Sequence, residues 1–154
     1  MISRDPWRRA NVDRAPAERM ISALVLDALP GFADLDTIAA VSWDLLHLAG
    51  RWIARGLDAY DHGFAGDITR ARRELRLLRD PDIIRREVTD LLSIYRSHLP
   101  AERLTTLAVD AEREIQAVAQ AIVTAHAEVL SRRDRRTRRI VVSISGLSAI
   151  DGRQ

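Results

Sequence analysis

Cysteine is absent from this chain of 154 residues, and so is lysine. The first absence removes disulfides, thiolate metal sites and cysteine nucleophiles together, and leaves any metal to histidine and carboxylate ligands. It also suits a reducing compartment. The second absence means that all 24 basic residues are arginine. An arginine-favouring codon usage gives the same composition, but the chemistry changes with it: the planar guanidinium grips phosphate and carboxylate with two prongs, where lysine offers a point charge. Aromatics are sparse, with three tryptophans, two tyrosines and two phenylalanines, so base stacking has few platforms. Long apolar runs are missing too. The best, "MISALVLDAL" at 20–29, is too short to span a bilayer and carries Asp27. The preceding segment mixes Asp5, Asp13 and Glu18 with its arginines, unlike a signal peptide. These features predict a cytoplasmic protein, or one built into an assembly from the cytoplasm.

What is present is segregated charge. The net charge is only +2, but residues 21–69 hold two arginines against seven aspartates, and residues 70–96 hold eight arginines against five acids. Residues 97–131 turn acidic again, and 132–139 carry six arginines against Asp134 alone. Alternating blocks suit subunits that meet head to tail, or one charged end for a polyanion.

Length predicts one domain with a real core. Residues 1–15 read as a charged N-terminal arm, 16–139 as a helical bundle domain, and 140–154 as a C-terminal strand and tail. Pro16 opens a helix that "PG" at 30–31 stops, with Ile21, Leu24, Val25 and Ala28 on its apolar face. Asp34 and Asp36 can cap a second helix over about 35–60, in which Ile38, Val41, Leu45, Leu48, Trp52 or Ile53, and Leu57 recur at helical spacing. Gly50 and Gly56 there mark either weakness or close approach of another helix. "DHGFAGD" at 61–67 reads as a loop. Asp67 caps "ITRARRELRLLR", and Asp80–Pro81 restarts a helix through about His98. In the last helix Leu104, Ala108, Ala111, Ile115, Val118, Ile122, Ala125 and Val129 step alternately by four and three. Such a heptad seam fits the core of an in-chain bundle or a coiled coil between subunits. The expected fold is therefore all-α: four to five helices, a long C-terminal heptad helix, an extended N-terminal arm and a single C-terminal strand.

The C-terminal stretch "VLSRRDRRTRRIVVSIS" carries the strongest site signal. Beyond Val129 the seam positions 132, 136 and 139 are all arginine, so apolar packing ends there. One or two arginines would complement the negative end of a helix. Six exceed that need, and Arg132, Arg133, Arg135, Arg136, Arg138 and Arg139 are the candidate contacts to nucleic acid or an acidic partner. After them Ile140, Val142 and Ile144 alternate with Val141, Ser143 and Ser145, the one strand pattern in the chain. A lone strand must pair somewhere, which predicts strand addition to a neighbour or partner.

Catalytic signals are weak. The chain has no glycine-rich nucleotide loop and no nucleophile elbow. Asp44 and His47 lie three apart and can share a helix face; such a pair is more often a solvated polar edge than a metal site, and no cofactor is expected. Arg55 and His62, in "RGLDAYDH", have a spacing that resembles the arginine–six–histidine motif of HEPN ribonucleases. That resemblance implies Arg55 at the cleaved phosphate and His62 as general acid or base, although Gly56 stands where a polar residue usually follows. In outline the layout also resembles small DNA-packaging subunits and head–tail adaptors of phages. The expectation is a non-enzymatic helical assembly or adaptor subunit, a homo-oligomer or part of a larger assembly, which meets nucleic acid through its arginines and neighbours through its arms. The alternatives are a ribonucleoprotein subunit gripping a nucleic-acid backbone, and a HEPN-like ribonuclease.

Overall fold

A computed structural model describes residues 5–31, 33–133 and 139–144. Among them are six α-helices, one 3-10 turn and a short helical segment near the C-terminus; none is in a strand. The helices are α1 (Pro6–Arg9), α2 (Ala15–Ala28), α3 (Leu35–Phe64), α4 (Ile68–Arg79), α5 (Pro81–Leu92) and α6 (Ala101–Arg133). No helix among the described residues is long and apolar enough to cross a membrane.

Aspartates start four of these helices. The side chains of Asp5, Asp34, Asp67 and Asp80 accept from the backbone N–H of Trp7, Thr37, Arg70 and Asp82. Each satisfies a donor that the first helical turn leaves without a carbonyl. The backbone N–H of Thr37 also holds the Asp34 carboxyl below the usual carboxylate range. Asp80 closes α4 and opens α5 in one residue, and Pro81 cannot continue α4 because it has no N–H to donate.

The long helices α3 and α6 form the centre of the bundle. They run parallel: Gly56 meets Val123, and further along Asp61 reaches the surroundings of His126. Opposite them, α4 and α5 follow one another back along α3. Arg55 meets Glu87 and Asp44 meets Tyr95, so sequence numbers rise on α3 as they fall on α5. α5 is likewise antiparallel to α6, with Arg85 at Glu112. α2 packs on α3 and α6. Val25, Leu45, Leu48, Trp52, Ile53, Leu57, Ile84, Leu107 and Ile115 are almost fully buried between the layers. Each contributes about 1.5–3 kcal/mol relative to exposure.

Four expectations are corrected. The described part of the N-terminal arm is not extended. Its Trp7 is buried against Gly50, and α1 is tied to α3 through salt bridges of Arg9 with Asp58 and Asp61. α3 runs through most of the expected loop, leaving only Ala65–Asp67 as a turn, with Gly66 at φ 103. Gly63 lies inside this helix at a position where a side chain would have no room, because a β-carbon there would overlap Ile144 Cδ1. The heptad seam of α6 is buried at Leu104, Ala108, Ala111, Ile115 and Ile122, but beyond Ile115 burial also moves off it: Ala119, Val123 and Ala127 are buried, whereas Val118 is half-buried and Ala125 and Val129 are exposed. A straight helix with 3.6 residues per turn moves off a strict seven-residue repeat in this way, as packing inside one chain allows.

The fourth correction concerns the C-terminal strand. Residues 139–144 are helical, with Val141 and Ile144 buried, Ile140 half-buried and Val142 exposed. Burial three residues apart is the helical period and not the alternation of a strand. The strand addition expected of Ile140, Val142 and Ile144 has no strand to rest on among the described residues. Residues 145–154 of the expected tail lie outside them.

Candidate functional site: an arginine-lined end of the bundle

α4 sets one side of this site. Ala71, Leu75 and Leu78 are buried on its inner face, and Arg70, Arg73 and Arg76 are exposed on its outer face. Arg70 is engaged by Glu74 one turn on, at 3.1 Å. Arg73 and Arg76 form no ion pair among the described residues. Arg72 has turned inward, where its Nη2 donates to the carbonyl and hydroxyl oxygens of Ser143 at 3.1 and 3.0 Å. Its buried Nε has no partner among the described residues.

That contact fixes the other side of the site. Ile144 fills the space beside Gly63, and Ile140 Cγ2 lies 3.6 Å from where a β-carbon of Gly63 would stand. Residues 139–144 are therefore held against the end of α3 and the start of α4. Exposed Arg139 leads into this segment, and exposed Arg132 and Arg133 end α6. No ion pair engages these three among the described residues. Arg135, Arg136 and Arg138 lie outside the described residues.

Two further groups border this end. Arg9 bonds Asp58 at 2.6 Å and also Asp61. Burial opposes its charge, but the hydrogen bonds and charges of the two aspartates prevail and raise its pKa. His126 is half-buried, and burial lowers its pKa; Asp61 opposes that shift, while Arg9 and Arg133 add to it. The imidazole is thus mainly neutral at neutral pH, and the positive charge of this end comes from arginine.

Arg55 and His62 do not converge on a common point. Arg55 Nη1 donates to Glu87 Oε1 at 2.8 Å, and its guanidinium lies 4.7 Å from the centre of the Trp52 ring. Trp52 Nε1 donates to the other oxygen of Glu87 at 2.9 Å, so the three side chains bracket α3 to α5. His62, two turns along α3, instead has Glu74 of α4 as its acidic neighbour, at 4.0 Å. Asp44 and His47 also part ways: Asp44 accepts from the Tyr95 hydroxyl at 2.6 Å, and His47 stands edge-on to Trp43 with ring centres 4.6 Å apart. Among the described residues, no three acids or histidines are grouped to hold a metal ion.

The sequence marks Arg132, Arg133 and Arg139 by their density. It marks Arg73 and Arg76 only through the net charge of their block, and gives no sign of Arg72 as the anchor of the C-terminal segment. A tertiary contact across 71 positions decides that role. Compared with known proteins, the chain matches no family model, no curated protein and no solved structure.

Proposed function

We propose that this chain is a non-catalytic helical assembly or adaptor subunit whose arginine-lined end holds a nucleic-acid backbone. One observation carries the reading. Arg73, Arg76, Arg132, Arg133 and Arg139 are exposed on three chain segments and free of ion pairs among the described residues, and the docking of Ser143 and Ile144 brings the segment that begins at Arg139 onto α4 and the end of α3. An ordinary solvated surface intersperses both signs and neutralises many of its charges locally, as Arg70 with Glu74 does here. Several unneutralised guanidiniums at one end suit successive phosphates, each held by a two-pronged contact.

Base identity is not part of the proposal. The exposed side chains argued here are arginines, so contact is with phosphates, and affinity falls steeply with salt. Attachment to protein neighbours rests on the remaining surface of the bundle, because the described parts of both arms are occupied within the chain.

Fluorescence anisotropy with a labelled DNA duplex across a salt series tests this. We expect binding at low salt with a steep slope, and a slope reduced by about 0.9 for each phosphate contact removed. Arg73→Gln, Arg132→Gln, Arg133→Gln and Arg139→Gln together should flatten it while leaving the helical circular dichroism unchanged. A flat salt response, or no binding at low salt, overturns the proposal. A labelled single-stranded RNA in parallel distinguishes a ribonucleoprotein role, which requires the RNA to bind more tightly than the duplex.

A further inference from the structure

Two large apolar side chains stand out of the first half of α3, Leu35 at 80 % exposure and Trp43 at 53 %. Singly exposed apolar side chains are ordinary, but these two share one face. Leu35, Ile38, Ala39, Ser42, Trp43 and Leu46 recur at helical spacing and line a groove of about 370 Å³ between α2 and α3. Ser22 belongs to its α2 wall, and exposed Leu26 continues that wall one turn on. Beyond Trp43 lies a second hollow, of about 480 Å³, between α1 and α3; Trp43 and Leu46 line both. Knobs and hollows therefore alternate along this face.

We propose that this face binds a second copy of the chain, α3 against α3, antiparallel about a two-fold axis. A two-fold interface requires one patch that is complementary to itself. With the axis at the level of Ala40 and Val41, Leu35 meets Leu46 of the second copy, Ile38 meets Trp43, and Ala39 meets Ser42. The small pair at the centre lets the helices approach, and the bulky pairs at the flanks interdigitate. Leu35 then enters the hollow beyond Trp43 of the second copy, which Leu46 borders. That hollow suits an apolar plug, because Arg51 and Asp5 on its rim are of opposite sign and Arg14 pairs with Glu18 at 2.8 Å.

Charge selects the direction. Exposed Asp34 and Asp36 stand at the start of α3, and exposed His47 and Arg51 lie on the other side of the axis. A parallel two-fold pair would set each of these groups against its own copy. The antiparallel pair sets the two carboxylates of each chain beside the imidazole and guanidinium of the other. The same side chains thus serve as knob and as socket, which a foreign partner would not require. Such a dimer supplies the protein neighbour that the assembly reading requires, and rests on that part of it. The phosphate contacts lie at the other end of α3, so the salt titration and the dimer can fail independently.

Sedimentation equilibrium of the full chain should show a reversible monomer–dimer equilibrium below about 100 μM. Trp43→Ala and Leu35→Glu, both at exposed positions, should each weaken the dimer by at least about 10-fold while the helical circular dichroism stays unchanged. Ile94→Ala, at an exposed apolar side chain in the 3-10 turn after α5, should leave it intact. The chain has no cysteine, so disulfide formation can report the register. Chains with Ala39→Cys mixed with chains with Ser42→Cys should cross-link faster under mild oxidation than either kind alone. A chain that stays monomeric to about 100 μM overturns the proposal and leaves the face to a different protein. So does a dimer that Trp43→Ala and Leu35→Glu leave intact, or cross-linking without preference for the mixed pair.

Discussion

Gly56 of α3 and Val123 of α6 approach so closely that a β-carbon on the glycine would overlap the valine methyl groups. The distances to Val123 Cγ1 and Cβ would be 3.1 and 3.2 Å, so no rotamer of this branched side chain escapes the contact. Gly56→Ala should therefore destabilise the bundle by about 1–2 kcal/mol, overpacking outweighing the gain in helix propensity. Val123→Ala in the same chain should restore part of that loss. Urea unfolding of the two single variants and the double variant measures the coupling. Additive effects would mean that the two helices are not in contact there.

The sequence made this contact half visible. Glycine in a helical pattern signalled close approach at positions 50 and 56, and α1 and α6 are the helices that approach. Caps and prolines placed both ends of α2 and α4 and the start of α5 within a few residues, because those are local devices; α5 itself ends at Leu92, short of the expected His98, where a 3-10 turn follows. The C-terminal segment was illegible for the opposite reason. The apolar order of "IVVSI" fits a strand and a helical turn equally, and what decides between them is a partner surface at Gly63 and Arg72, some 70 residues away. Likewise the repeat of α6 could not tell a seam between chains from one within a chain. The buried Ala119, Val123 and Ala127 mark the face of α6 that packs within the chain.

Glu112 is the one charged side chain buried among the described residues, and Arg85 reaches it with two donors at 3.2 Å. The pair is lopsided, since the Arg85 side chain is 52 % exposed and that of Glu112 only 8 %. Removing the arginine leaves a buried carboxylate without its partner, which solvent reaches poorly. Arg85→Met should destabilise the fold by about 1–3 kcal/mol, less than for a fully buried pair because the arginine is half in water. Arg85→Met with Glu112→Met should be more stable than Arg85→Met alone. Denaturant midpoints decide it; a neutral Arg85→Met would mean that the carboxylate is already well hydrated.

Tyr95 hydrogen-bonds Asp44 across the bundle, and its pKa is raised to about 12, first by burial and then by the hydrogen bond and charge of Asp44. The neutral phenol is the form favoured by the fold. Its contribution is complete below the unfolded value near 10 and is lost as pH rises through the folded value. Tyrosinate absorbance should show one tyrosine titrating near 12 in the native protein. Asp44→Asn should move that titration down towards 10, with burial alone sustaining the remainder. A titration insensitive to Asp44→Asn would show that the contact does not form in solution.

Ile144 is 1 % exposed against the end of α3, so residues 139–144 pack as part of the core. Ile144→Ala removes most of that contact and should lower stability by about 2 kcal/mol, the low end for buried isoleucine because the segment can undock without unfolding the bundle. Ending the chain after residue 139 should cause at least the same loss and uncover the apolar surface beside Gly63. Strand exchange between subunits predicts a different pattern: the truncation would change the mass in solution and leave the stability of the single subunit untouched. Sedimentation and urea unfolding on the truncated and full chains separate the two. A lower unfolding midpoint at constant mass is the outcome the helical docking of 139–144 requires, and a lower mass at constant midpoint would reject it.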